Sequence, residues 1–129
     1  MIAIAPDPVR LAAIEGTGGM AAILANPDTR LALPLPEHTA RVILGYGIKA
    51  YAWRVRGMPP VTFEVYVLDG DRNRVIWRRS LDPARQSRDR GEQESVVAIP
   101  PDTRQVILAT TSSDTTLSNR AYWSEIEFR

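Results

Sequence analysis

The chain contains no cysteine, so disulfides and thiolate chemistry are both closed to it. Its only histidine, His38, stands in the turn-like stretch Pro36-Glu37-His38, which leaves no His-x-x-x-His spacing for a metal. Neither is there a Gly-x-Ser-x-Gly elbow to raise a serine nucleophile. Fifteen acidic residues bring some carboxylates together by chance, so a pair of acids alone does not announce glycoside hydrolysis. The expectation is a chain without catalytic machinery of its own. Long apolar runs are also missing: none approaches the ~20 residues that a membrane-spanning helix needs. The opening Met1-Ile2-Ala3-Ile4-Ala5-Pro6-Asp7 lacks the basic flank and long apolar stretch of a secretion signal. Lysine is nearly absent, because 15 of the 16 basic residues are arginine and only Lys49 is lysine. A net charge of +1 gives no general attraction to nucleic acid or to an anionic membrane, and no RNA- or DNA-binding pattern is present.

What the 129 residues do contain is a repeating strand signal and 44% hydrophobic residues, enough for one domain with a sizeable core. Short apolar, β-branched runs recur every 10 to 15 residues between turn signals: residues 9–14, 20–24, 29–35, 40–48, 61–68, 74–81, 95–99, 104–111 and 121–128. In Val61–Leu68, Val61, Phe63, Val65 and Val67 share one face, while Thr62, Glu64, Tyr66 and Leu68 share the other, the period of a half-buried strand. Asp69-Gly70-Asp71-Arg72-Asn73 reads as a hairpin turn, since Asp-Gly tolerates positive φ. The returning strand places Val75, Trp77 and Leu81 on one face. Phe63, Val65, Val67, Val106, Leu108, Ile126 and Phe128 are the predicted core. Gly16-Thr17-Gly18-Gly19 argues against a long helix in the alanine-rich N-terminal part. Eight or nine strands and no long helix predict an all-β antiparallel sandwich of jelly-roll type over residues 1–129. The last residues, Glu125 to Arg129, read as a strand with no tail, which suggests a segment of a larger protein.

Three residue sets are candidates for function. Tyr46, Tyr51 and Trp53 cluster beside Arg54, and Tyr66 sits on the polar face of its strand. Flat rings of this kind supply stacking area for the apolar C–H face of a sugar. Trp77 and Trp123 read instead as core or edge packing. For Trp53 both readings are open, because a period-2 strand through Arg54 and Arg56 puts Val55 on its face. Asp69-x-Asp71-x-Asn73 has the alternating oxygens of a calcium loop but no downstream bidentate glutamate, and turn chemistry accounts for it. Asp82, Asp89 and Asp114 are the weak calcium candidates, on polar loops able to meet. Seven arginines between Arg72 and Arg90 suggest an anionic partner, but acids interleave with them, so a mixed-charge solvated hairpin is the plainer reading.

From Leu44 to Phe128 the order of short motifs resembles the NPCBM and galactose-binding-like jelly-roll modules of bacterial carbohydrate-active and cell-envelope proteins. The pieces are Gly45-Tyr46-Gly47-Ile48 followed by Ala52-Trp53, then Val61-Thr62-Phe63-Glu64-Val65, Leu81-Asp82-Pro83 and Asp89-Arg90-Gly91. Val106-Ile107-Leu108 with Thr110 and Ala121-Tyr122-Trp123 complete the series. The family's usual tryptophan after Asp-Arg-Gly is replaced by Glu92 and Gln93. The resemblance implies a non-catalytic glycan-binding or glycan-proximal accessory module, located in the periplasm or outside the cell. It also brings in the structural calcium ion that such modules often carry. The alternative is a structural or interaction domain using the same aromatics to pack on a parent or partner chain.

Overall fold

The computed structural model describes residues 11–13, 21–24, 29–54, 57–69, 71–113 and 121–129. Nine strands appear there: β1 Leu11–Ala13, β2 Ala21–Leu24, β3 Thr29–Pro34, β4 Arg41–Ile48, β5 Val61–Asp69, β6 Arg72–Leu81, β7 Gln93–Ala98, β8 Gln105–Thr111 and β9 Ala121–Phe128. They form a five-stranded sheet, β1-β2-β9-β4-β7, packed on a four-stranded sheet, β3-β8-β5-β6. Every pairing is antiparallel, so the chain is an all-β sandwich as its period-2 runs predict. β1 and β2 join the first sheet through β9, with Ile23 opposite Trp123, while β3 borders the other sheet. The Gly16–Gly19 breaker lies outside the described residues.

The core is built by alternation. Val61, Phe63, Val65 and Val67 of β5 face Val42, Leu44, Tyr46 and Ile48 of β4, with Val106, Leu108 and Trp123 between them; all are buried. Ile126 and Phe128 pack on this cluster while partly exposed. Four aromatic rings fill its middle. Tyr46 lies 5.0 Å from Phe63, 5.2 Å from Trp77 and 5.9 Å from Trp123, and Phe63 meets Trp123 edge-on at 5.2 Å. Tilted and T-shaped contacts of this kind add to the area buried by such large side chains.

Two predictions from local pattern are corrected. Val65 pairs with Trp77 but Tyr66 pairs with Val75, so Ile76 is an extra residue on β6. That bulge turns Val75 away from the face of Trp77 and Leu81 and leaves it 36% exposed. The strand expected through Trp53 is instead a one-turn helix, α1 Ala50–Trp53, ending at Arg54. Val55 and Arg56, on which the alternation argument rested, lie outside the described residues.

Candidate functional site

β4 connects the two ends of the sandwich. At its C-terminal end α1 turns Trp53 back over the strand, and the indole Nε1–H donates to the Ile48 carbonyl at 2.8 Å. The ring packs partly on the core and stays partly exposed. The Arg90 guanidinium lies 5.9 Å from the centre of the indole, while its Nε–H donates to the Pro83 carbonyl at 2.7 Å. A cation over an indole is attracted by the ring's electron density, and the Arg90 side chain is exposed.

The loop that carries Arg90 is clasped by Asp89. This carboxylate is only 6% exposed. Its Oδ2 accepts the Asp82 backbone N–H at 3.0 Å and its Oδ1 accepts from Arg79 at 3.3 Å. Asp82 and Asp89 do come together, through the Asp82 backbone N–H, and each carboxylate has its own arginine at 3.3 Å, Arg79 on Asp89 and Arg85 on Asp82. Asp114 lies outside the described residues. Replacing Asp89 with alanine is expected to free the loop and cost about 1–3 kcal/mol, since it orphans a buried backbone donor. Denaturant unfolding measures that loss, and hydrogen exchange should show faster exchange of the Asp82 amide.

On the five-stranded sheet the two β4 glycines are buried under neighbouring atoms. A Cβ on Gly47 would lie 2.6 Å from the Tyr122 hydroxyl and 3.0 Å from the Gly91 carbonyl oxygen. A Cβ on Gly45 would lie 2.5 Å from the Ser124 Oγ and 3.1 Å from Glu125 Cβ. Both glycines are therefore close-approach positions. Gly47→Ala is expected to push Tyr122 off the strand and lower the melting temperature, because ring and backbone atoms, not a flexible chain end, stand in the way. Half-burial raises the Tyr122 pKa above the ordinary phenol value, and the nearby Glu92 carboxylate adds to the shift. The folded state thus holds the phenol proton more tightly than the unfolded state. Tyr122 stabilises fully below the unfolded pKa near 10, and its contribution falls as pH rises through the folded value. Absorbance titration should show one phenol ionising late, a feature that Tyr122→Phe removes.

The other sequence candidates are scattered. Tyr46 is 0% exposed, its hydroxyl 2.8 Å from Ser95 Oγ, so its ring is core and cannot stack on a ligand. Alternation along β4 puts it there, whereas its sequence neighbours Gly45 and Gly47 face out. Tyr51 belongs to α1, but its side chain is outside the described residues. Arg54 closes α1 and is exposed. Tyr66 lies half-buried on the outer face of the other sheet, with the Arg30 guanidinium 5.7 Å from its ring centre. Arg78 and Glu64 pair beside it at 2.7 Å. No local signal marks Tyr122, Arg90, Gly45 or Gly47 as a ligand contact, although the motifs Ala121-Tyr122-Trp123, Asp89-Arg90-Gly91 and Gly45-Tyr46-Gly47 are visible in the sequence.

A larger hollow, of about 700 Å³, opens at the other end of β4 among Glu37, His38, Asp102 and Arg104. Two matched turns frame it: Thr39 and Thr103 hydroxyls donate back to the Pro36 and Pro100 carbonyls, each at 2.7 Å. His38 and Asp102 adopt φ of 65° and 66°, which short polar side chains tolerate in turns. Among the described residues no Trp, Tyr or Phe ring lines it.

No protein-family model matches the chain, and no curated protein does. Solved structures do. Over 94% of this chain it is similar to the CBM51-2 and INT domains of Clostridium perfringens ZmpB, at 17% identity and a TM-score of 0.59. That module has also been solved in complex with GlcNAc. The tandem CBM51 modules of a family 98 glycoside hydrolase from Streptococcus pneumoniae match over 95% of this chain, at 20% identity and a TM-score of 0.60. The K2 cleaved adhesin domain of Lys-gingipain matches over 92%, at 15% identity and a TM-score of 0.61. The chain spans 25% of the ZmpB structure and 36% of the tandem CBM51 structure. The β-sandwich fold is shared with these modules.

Proposed function

We propose that the chain is a non-catalytic, glycan-binding accessory module of a larger bacterial envelope protein, with its site at the Trp53 end of the sandwich. The observation that carries this reading is the Trp53–Arg90 pair: a partly exposed indole held by its own N–H, with a guanidinium stacked on it. Ring and cation together suit a sugar, since the exposed part of the indole offers an apolar surface and the guanidinium offers donors to hydroxyls. The shared fold of the CBM51 modules supports it.

Retention on a glycan array or in an affinity gel tests the reading. Arg90→Gln removes the cation and its hydrogen bond to the Pro83 carbonyl, so it should cost about 0.5–1.5 kcal/mol and weaken retention about tenfold. Trp53→Ala should abolish retention and cost about 1–3 kcal/mol, less than a fully buried tryptophan. Unchanged retention in both variants would move the site elsewhere. A wild-type chain that retains no glycan would favour an interaction domain, the reading supported by the exposed Leu68 and Val75 beside Tyr66 on the outer face of the other sheet.

A further inference from the structure

Four strands lie at sheet edges, β1 and β7 in one sheet and β3 and β6 in the other. An edge strand presents unpaired backbone groups, and proteins blunt such edges with short strands, proline, basic side chains or bulges. β1 has three residues. β3 carries Arg30 and ends on Pro34. β6 carries Arg72, Arg74, Arg78 and Arg79 and is bulged at Ile76. β7 has none of these protections: it runs six residues in unbroken register with β4, without proline, lysine or arginine. Val96 at its middle is 59% exposed, more than the other exposed large hydrophobics, Leu68 and Val75.

The hydrogen-bond phase of β7 fixes what its edge offers. The Ile99 N–H donates to the Ala40 carbonyl at 2.8 Å, so Ile99, and by period two Val97 and Ser95, direct their backbone groups towards β4. Glu94, Val96 and Ala98 therefore direct theirs away from the sheet, where no other described strand pairs with them. On the face away from the core these three lie beside Gly45, Ile43 and Arg41 of β4 in turn. The edge thus has an acidic end at Glu94 and an apolar middle at Val96, beside half-buried Ile43. Its other end is basic, because exposed Arg41 stands behind the small Ala98. Among the described residues neither Glu94 nor Arg41 makes a side-chain hydrogen bond or an ion pair.

We propose that β7 pairs with β7 of a second copy of this chain, antiparallel about a two-fold axis through Val96, so that two five-stranded sheets become one. In that register Val96 faces Val96 of the second copy, and Glu94 faces Ala98 on either side of it. All three are residues whose backbone groups point outwards, so each facing pair exchanges both of its hydrogen bonds. Ile43 and Val96 of the two copies form an apolar row across the junction. Glu94 of one copy comes within two strand spacings of Arg41 of the other, about 10 Å between Cα atoms. The two long side chains bridge that gap over Ala98, which has nothing beyond Cβ to obstruct them. The two-fold makes this contact twice, the self-complementarity that an isologous interface requires. Neighbouring registers fit less well. An axis through Ser95 sets the Glu94 carboxylate against Val96, and one through Val97 sets Glu94 against Pro100, which has no N–H to give. A foreign strand could satisfy the same hydrogen bonds, but it would have to bring its own matching charges.

Sedimentation equilibrium of the full chain from about 10 µM to about 1 mM tests this, since an interface of one strand pair belongs to the small, weak class. The expected result is a mass that rises from one chain towards two and no further, because the two-fold closes. Val96→Lys sets two ammonium groups face to face at an exposed position. It should weaken association at least about tenfold while leaving the melting temperature of the dilute protein unchanged. Glu94→Arg and Arg41→Glu should each weaken association, and the double variant Glu94→Arg/Arg41→Glu should restore it. In a chain without cysteine, Val96→Cys gives one thiol per copy, directly opposite its counterpart and within the Cα span of a disulfide. Mild oxidation should then yield a covalent dimer. Glu94→Cys should not, because its counterpart lies about 14 Å away along the strands. A mass that stays at one chain throughout overturns the proposal and leaves the edge to a strand of a parent or partner protein. Association that Val96→Lys leaves intact places the contact elsewhere and overturns it too. If the double charge reversal fails to restore what the single variants lose, the register falls, and with it the second copy as occupant.

Discussion

Trp123→Ala is expected to cost about 3–5 kcal/mol. Trp123 is 1% exposed and contacts Tyr46 and Phe63 from β9, the strand joining β4 to the β1–β2 pair. Its removal leaves a void with β-sheet on both sides, where backbone hydrogen bonding prevents collapse. For a domain of this size the melting temperature should fall by roughly 10–25 °C. A loss under about 1 kcal/mol would mean that the aromatic cluster is not the centre of the core.

Tyr46→Ala should cost a similar amount, about 3–5 kcal/mol, because Tyr46 touches three other aromatic rings and is wholly buried. Tyr46→Phe keeps the ring and loses only the hydrogen bond with the half-buried Ser95, for about 0.5–1.5 kcal/mol. Comparing the two substitutions separates packing from hydrogen bonding. Neither should alter glycan specificity once stability is allowed for, in contrast to substitutions at Arg90. Tyr46 and Trp123 share a contact, so the double substitution should differ from the sum of the singles by about 0.5–3 kcal/mol. Chemical denaturation of all four proteins measures that coupling directly.

The sequence by itself determined the strands, their alternation and most of the core. Val61 to Val67 alternate strictly, and Asp69-Gly70 breaks the run where β5 turns back into β6. These are local signals, since period and turn chemistry act within a few residues. Gly45 and Gly47 are visible in the sequence as glycines within a strand, which marks a bulge or a close backbone approach. The sequence could not show what approaches, because Tyr122, Ser124 and Gly91 arrive from strands and loops about 45 to 80 residues away. Tertiary structure alone decided which aromatics are wet. Tyr46 and Trp53 look alike in sequence, but alternation along β4 buries the first, and the one-turn helix α1 rotates the second to the rim. Bulges made the remaining decisions: the extra residues Ile76 and Ser124 shift register by one, and a shift of one reverses which face a side chain occupies. That an acidic and a basic residue flank Val96 at one open edge, Glu94 from β7 and Arg41 from β4, is a product of strand order and register and has no trace in the order of residues along the chain.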